Sequence, residues 1–109
     1  MADEKVATVR MVTFGNVLVT RDRAREMLDE LPECSQLTLD FERVGVASPS
    51  FLDELIRRVW ERKVQSIQFV NTSAATNRNL ERLVKVHPQD ESKPPQRPNL
   101  EFPEEEMVG

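Results

Sequence analysis

Leu37-Thr38-Leu39-Asp40-Phe41, then Ser48-Pro49-Ser50-Phe51-Leu52-Asp53-Glu54-Leu55-Ile56-Arg57-Arg58-Val59-Trp60, then Ser66-Ile67-Gln68-Phe69-Val70: these three runs decide how the chain folds. The first and third alternate apolar and polar side chains with the period of two that a half-buried strand requires. Between them, Ser48 reads as an N-cap and Pro49 as the first helical residue, where a missing N–H costs nothing. Phe51, Leu52, Leu55, Ile56, Val59 and Trp60 then fall on one face at helical spacing. Asp53, Glu54, Arg57, Arg58, Glu61 and Arg62 cover the other, with Glu54–Arg58 and Arg57–Glu61 placed for i,i+4 ion pairs. A strand, a helix of more than ten residues and a second strand predict parallel pairing through a right-handed crossover.

The pattern extends both ways from this unit. Upstream, Val6 to Val12 is β-branched and alternating, Phe14-Gly15-Asn16 is turn chemistry, and Val17-Leu18-Val19 reads as a short strand closing a hairpin. Thr20 is the next N-cap, with Asp22 in the first turn and Ala24, Met27, Leu28 and Leu31 as the apolar stripe, and Pro32 stops that helix. Downstream, a last helix is expected from Thr72 or Ser73, with Leu80, Leu83 and Val84 inside, ending before Pro88. The order is β-β-α-β-α-β-α: one α/β domain with a mostly parallel sheet of four to five strands and about three helices.

Charge divides the chain at His87. Residues 88–109 hold two basic and six acidic side chains and five of the seven prolines, while residues 1–87 hold thirteen of each sign. Residues 1–87 are therefore expected to be the domain. Residues 88–109 read as an acidic, proline-rich tail, disordered or loosely docked, with self-docking or a short docking peptide around Leu100 to Val108 as alternatives. A neutral domain offers no basic stripe for nucleic acid. One cysteine, Cys34, excludes an internal disulfide and a cysteine-based zinc site, and one histidine, His87, leaves little for nitrogen-ligated metal. No apolar run approaches the about 18 residues of a spanning helix, and no secretory leader is visible at the start. These features predict a cytoplasmic, non-enzymatic binding module with no cofactor.

Leu39-Asp40-Phe41, followed by Asp53-Glu54-Leu55 with Arg57 nearby, preceded by Leu18-Val19-Thr20-Arg21 and closed by Phe69-Val70-Asn71-Thr72 and Arg78 to Leu83, resembles the STAS superfamily. That superfamily is named for sulphate transporters and anti-sigma-factor antagonists. The likeness is closest to small bacterial STAS-like proteins of unknown function and spans residues 6–86. In the antagonists, an Asp-Ser-Ser-Gly-Leu run opens the helix after the Leu-Asp strand, and a partner kinase phosphorylates its second serine. The matching residues are Ser48-Pro49-Ser50-Phe51-Leu52, so the resemblance puts Ser50 on the phosphoserine position. Ser48 stands for the acid, Pro49 for the first serine and Phe51 for the glycine. The resemblance implies regulatory protein binding, with an anti-sigma or histidine-kinase-like ATPase as the partner class.

The residues nominated for that surface are Ser48, Ser50, Asp53, Thr20, Arg21, Asp40, Asn71 and Thr72. They lie at strand-to-helix junctions, which gather at the carboxyl end of parallel strands. Ser48 is also explained by capping alone, and Asp40 by a hydrogen-bonded role at a strand end. Arg21, Arg23 and Arg25 oppose the dipole of the first helix. They are expected either to pair with Asp22, Glu26 and Asp29 or, for Arg21, to reach Asp40 or Asp53. The alternatives are a small nucleotide- or anion-binding protein or enzyme using Arg21, Asp40 and Asp53, and a structural homodimer joined at a sheet edge.

Overall fold

The computed structural model describes residues 5–86, 92 and 97–102. The main sheet holds β1 (Val6–Arg10), β3 (Gln36–Asp40), β5 (Ser66–Val70) and β6 (Asn99–Glu101), in the order β1-β3-β5-β6. Every pairing in it is parallel. A second, two-stranded parallel sheet joins β2 (Val17–Leu18) to β4 (Val46–Ala47). Three helices, α1 (Arg21–Asp29), α2 (Pro49–Glu61) and α3 (Ala74–Val86), complete the α/β fold.

The expected hairpin is not formed. A 3-10 turn at Met11–Phe14, followed by Gly15 at φ 129, a conformation that favours glycine, leads the chain out of the main sheet. Met11 is fully buried by that turn. Val17 then pairs with Val46 rather than with β1. The alternating run from Val6 to Val12 accordingly stops being strand at Arg10.

Alternation on β3 and β5 sends Leu37, Leu39, Ile67 and Phe69 to one face, where they are buried. Phe51, Leu52, Leu55 and Val59 of α2 and Ala24, Met27 and Leu28 of α1 join the same core. On the opposite face Thr8, Thr38, Gln68 and Glu101 stand in register across all four strands. That row is polar and half to fully exposed, whereas parallel sheets are commonly covered on both sides.

Each helix boundary has a visible cause. Thr20 and Ser48 cap α1 and α2 by accepting the N–H groups of Arg23 and Phe51, both at 3.1 Å. Helix α1 ends at Asp29, with Leu31 still buried beyond its last turn. Helix α2 ends with Lys63 N–H on Trp60 O at 3.0 Å and Val64 N–H on Val59 O at 3.1 Å, the paired bonds of a left-handed helix stop. Lys63 takes φ 67 there. Helix α3 starts at Ala74, capped by Ser73, which accepts the Thr76 N–H at 3.2 Å. Its inner face is Thr76 and Leu80, both buried, with Leu83 and Val84 half-buried.

Beyond α3, part of the acidic tail is ordered against the sheet. Asn99 N–H donates to Gln65 O at 2.9 Å, and β6 pairs with Ser66 to Gln68. Leu100 packs against the core, and the Phe102 ring stacks on Phe69 with centroids 5.8 Å apart. His87 and the acidic stretch after Phe102 lie outside the described residues. No helix among the described residues is long and apolar enough to cross a membrane.

Candidate functional site

Strands β2 and β4 are adjacent, and each runs directly into a helix, so α1 and α2 start side by side. Ser48 ties the two starts together. Its N–H donates to Leu18 O at 2.8 Å, its hydroxyl donates to Val19 O at 2.6 Å, and the same oxygen accepts the Phe51 N–H. The hydroxyl is therefore spent on structure. Ser50, the second residue of α2, is exposed, whereas its neighbour Phe51 is wholly buried.

The third junction is fastened to the same place. Ser73 donates its hydroxyl to Gly45 O at 2.8 Å, just before β4. Thr76 accepts the Ala47 N–H at 3.1 Å, and Asn79 donates to Ala47 O at 2.8 Å, so both backbone groups of Ala47 are held by α3 side chains. Thr72 donates its hydroxyl to Asn77 Oδ1, which steadies the loop leading into α3. Asn71 takes φ 57, a left-handed conformation that asparagine tolerates, and donates its side-chain amide to Asp40 Oδ1 at 3.0 Å. Asp40 also accepts the Glu42 N–H at 2.9 Å. These two bonds, the Asn71 one first, hold the Asp40 carboxyl below its ordinary range.

Arg21 leaves the first turn of α1 and crosses to α2. Its Nη1 donates to Asp53 Oδ2 at 3.0 Å and to Glu54 Oε1 at 3.2 Å. Of the two expected targets it reaches Asp53, while Asp40 is taken by Asn71. Glu54 was expected on the outer face of α2 but is 6% exposed. Its other oxygen accepts Arg58 Nε at 2.8 Å and Arg25 Nε at 3.1 Å. Arg58 first, then Arg25 and Arg21, hold its carboxyl at about 2 against the opposing cost of desolvation. Arg57 pairs with Asp53 at 3.4 Å instead of Glu61, which Arg58 takes at 3.4 Å. Arg23 and Arg25 also pair with Glu26 and Asp22, each at 3.0 Å.

The eight nominated residues thus fall into two groups by position, and within them hydrogen bonds or ion pairs join Arg21 to Asp53 and Asn71 to Asp40. Thr20, Arg21, Ser48, Ser50 and Asp53 surround the paired helix starts. Asp40, Asn71 and Thr72 lie at the carboxyl ends of β3 and β5, and the Ser73 to Gly45 bond connects the groups. Sequence reasoning missed Glu54 as the hub of α1 and α2. The signal was present: three arginines facing the wrong end of a helix dipole call for acids from another element. Cys34 is buried, and desolvation pushes its thiol up, away from the reactive thiolate. Among the described residues no three His, Cys, Asp or Glu side chains are placed to hold a metal ion.

No curated protein and no solved structure matches the chain. Residues 24–77 match a family model described as a STAS-like domain of unknown function. The matched stretch runs from inside α1 to the first turn of α3. It contains Asp40, Ser48, Ser50, Asp53, Asn71 and Thr72, and Thr20 and Arg21 lie just ahead of it. Over residues 24–77, about half of its length, the chain is similar to the family of STAS-like domains of unknown function.

Proposed function

We propose that this chain is a non-enzymatic regulatory module that binds a protein partner through the surface around the α1 and α2 starts. By its resemblance to anti-sigma-factor antagonists, the partner is an ATP-binding protein of the anti-sigma or histidine-kinase-like class. Phosphorylation of Ser50 by that partner, or by a kinase acting with it, weakens binding. The exposure of Ser50 beside a fully engaged Ser48 carries the reading: of the two serines, the one matching the family's phosphoserine position is the one a kinase can reach.

Chemistry at the site supports a binding role over a small-molecule one. Arg21 already donates to two carboxylates held beside it, so a free small anion, lacking the effective concentration of a tethered group, would have to displace them from solution. A phosphate on Ser50 would add about −1.5 to −2 charges at pH 7. A partner surface fitted to a small neutral hydroxyl then meets a bulky, strongly hydrated group that it has no complementary contacts to receive.

Affinity purification of the full chain from its native cells, with mass spectrometry for partners and for phosphate on Ser48 and Ser50, tests this. A stoichiometric ATPase-like protein together with phosphate on Ser50 is expected. Ser50→Asp should reduce capture at least ten-fold while Ser50→Ala retains it. No stoichiometric partner and no phosphate would break the analogy and leave the fold alone standing.

A further inference from the structure

Ser50 shares one stripe of α2 with the two carboxylates that Arg21 binds. On a helix, Asp53 and Glu54 lie about 60° and 40° to either side of the line through Ser50, one turn further on. Helical side chains lean toward the N-terminus and cover the turn before their own. A guanidinium bonded to both carboxylates, as Arg21 is at 3.0 and 3.2 Å, is therefore drawn over the turn that holds Ser50. Arg21 arrives there from α1, whose start is fastened to that of α2 by the Ser48 to Val19 bond.

Resting on the reading of Ser50 as the modified residue, we propose that Arg21 receives the Ser50 phosphate, exchanging its bond to Asp53 for one to the phosphoryl oxygens. In the modification itself, the Ser50 oxygen forms a bond to the γ-phosphorus of ATP as the bond to the ADP oxygen breaks, and the hydroxyl proton passes to the kinase or to water. The exchange strands no charge. Asp53 keeps Arg57 at 3.4 Å, and Glu54 keeps Arg58 at 2.8 Å and Arg25 at 3.1 Å. Arg21 can therefore leave Asp53 without orphaning an acid. A phosphate dianion also offers it a stronger, forked pairing than one carboxylate oxygen does. Modification would then do more than add charge at Ser50: it would uncover Asp53 and re-anchor the first turn of α1.

The test installs phosphoserine at position 50 of the full chain during synthesis, so it does not depend on whether cells modify Ser50. Phosphorus NMR then follows the second ionisation of the phosphate, which lies near pKa ~6 when unpaired. The expected result is a second ionisation about ten-fold stronger with Arg21 present than in Arg21→Ala, and unchanged in Arg25→Ala. Equal midpoints in all three chains, or an equal effect of Arg25→Ala, would overturn the proposal. If Arg21→Ala does not melt cooperatively, the unsubstituted phosphorylated chain supplies the answer. Its Arg21 Nε–H resonance should move with the phosphate midpoint while that of Arg58 does not, and an Arg21 resonance that ignores the titration would overturn it. Absence of phosphate in native cells would sink the regulatory reading without touching the measured pairing.

Discussion

Glu54 is a carboxylate with little solvent and three guanidiniums, and its stability contribution has a definite sign in pH. Its ordinary value is 4.5 and its folded value is about 2. The unfolded chain takes up the proton first as pH falls, so the pairing contributes fully above about 4.5 and is lost progressively toward pH 2. Denaturant melts at pH 7, 4.5 and 2.5 should show this loss, and Glu54→Gln should flatten the acid limb while lowering stability at pH 7 by about 1–2 kcal/mol. A curve of unchanged shape in Glu54→Gln would mean that other acids set the response. At Ser48, alanine removes a cap and the Val19 bond together, and about 1–2 kcal/mol should be lost in the same assay. Ser50→Ala should fall within about 0.5 kcal/mol of the parent, as for an exposed residue without such a role. Phe51→Ala should cost about 3–5 kcal/mol, because that ring is wholly buried.

Helix α2 illustrates what an element owes to local sequence. Its cap, its proline and its apolar face are written in adjacent residues, and all form as the spacing predicts. Its end is less well served. Lys63 occupies the left-handed position at φ 67 where glycine has no steric penalty, so Lys63→Gly should stabilise the chain by about 0.5–1 kcal/mol in thermal melts, provided the two closing bonds persist. The parallel β3-α2-β5 unit, the caps at Thr20 and Ser48 and the buried stripes were legible because each depends on neighbours within a few residues. The short strand at Val17-Leu18 was legible too, but its partner was not, and β4 was not expected at all, since a two-residue strand carries no period and these two exist by pairing with each other across the fold. The same holds for Glu54. Its spacing on α2 reads as solvent-facing, and the packing of α1 with Arg21 and Arg25 over that spot encloses it. Asp40 and Asn71 were nominated separately, and the register of β3 with β5 is what brings them together.

The main sheet asks for a cover on β5, and β6 supplies it with three residues and one aromatic ring. Phe102→Ala should remove the stacked contact on Phe69 and cost about 0.5–1.5 kcal/mol. Its amide exchange at Ser66 to Gln68 should quicken relative to Leu37 to Leu39, and equal protection in both strands would show that β6 stays seated without the ring. The tail composition, acidic and rich in proline, hid a strand because Asn99-Leu100-Glu101 has too few apolar residues to announce itself. Its place is set by the edge it meets. At the opposite side of the sheet, no described residue pairs with the outer edge of β1. The other edge is β6 itself, so among the described residues the four-stranded sheet ends in an edge strand on each side. The tail moves that edge outward from the five residues of β5 to the three of β6, and a short edge strand is a poor template for adding another copy: the segment that finishes the fold also blunts the flank on which chains could stack.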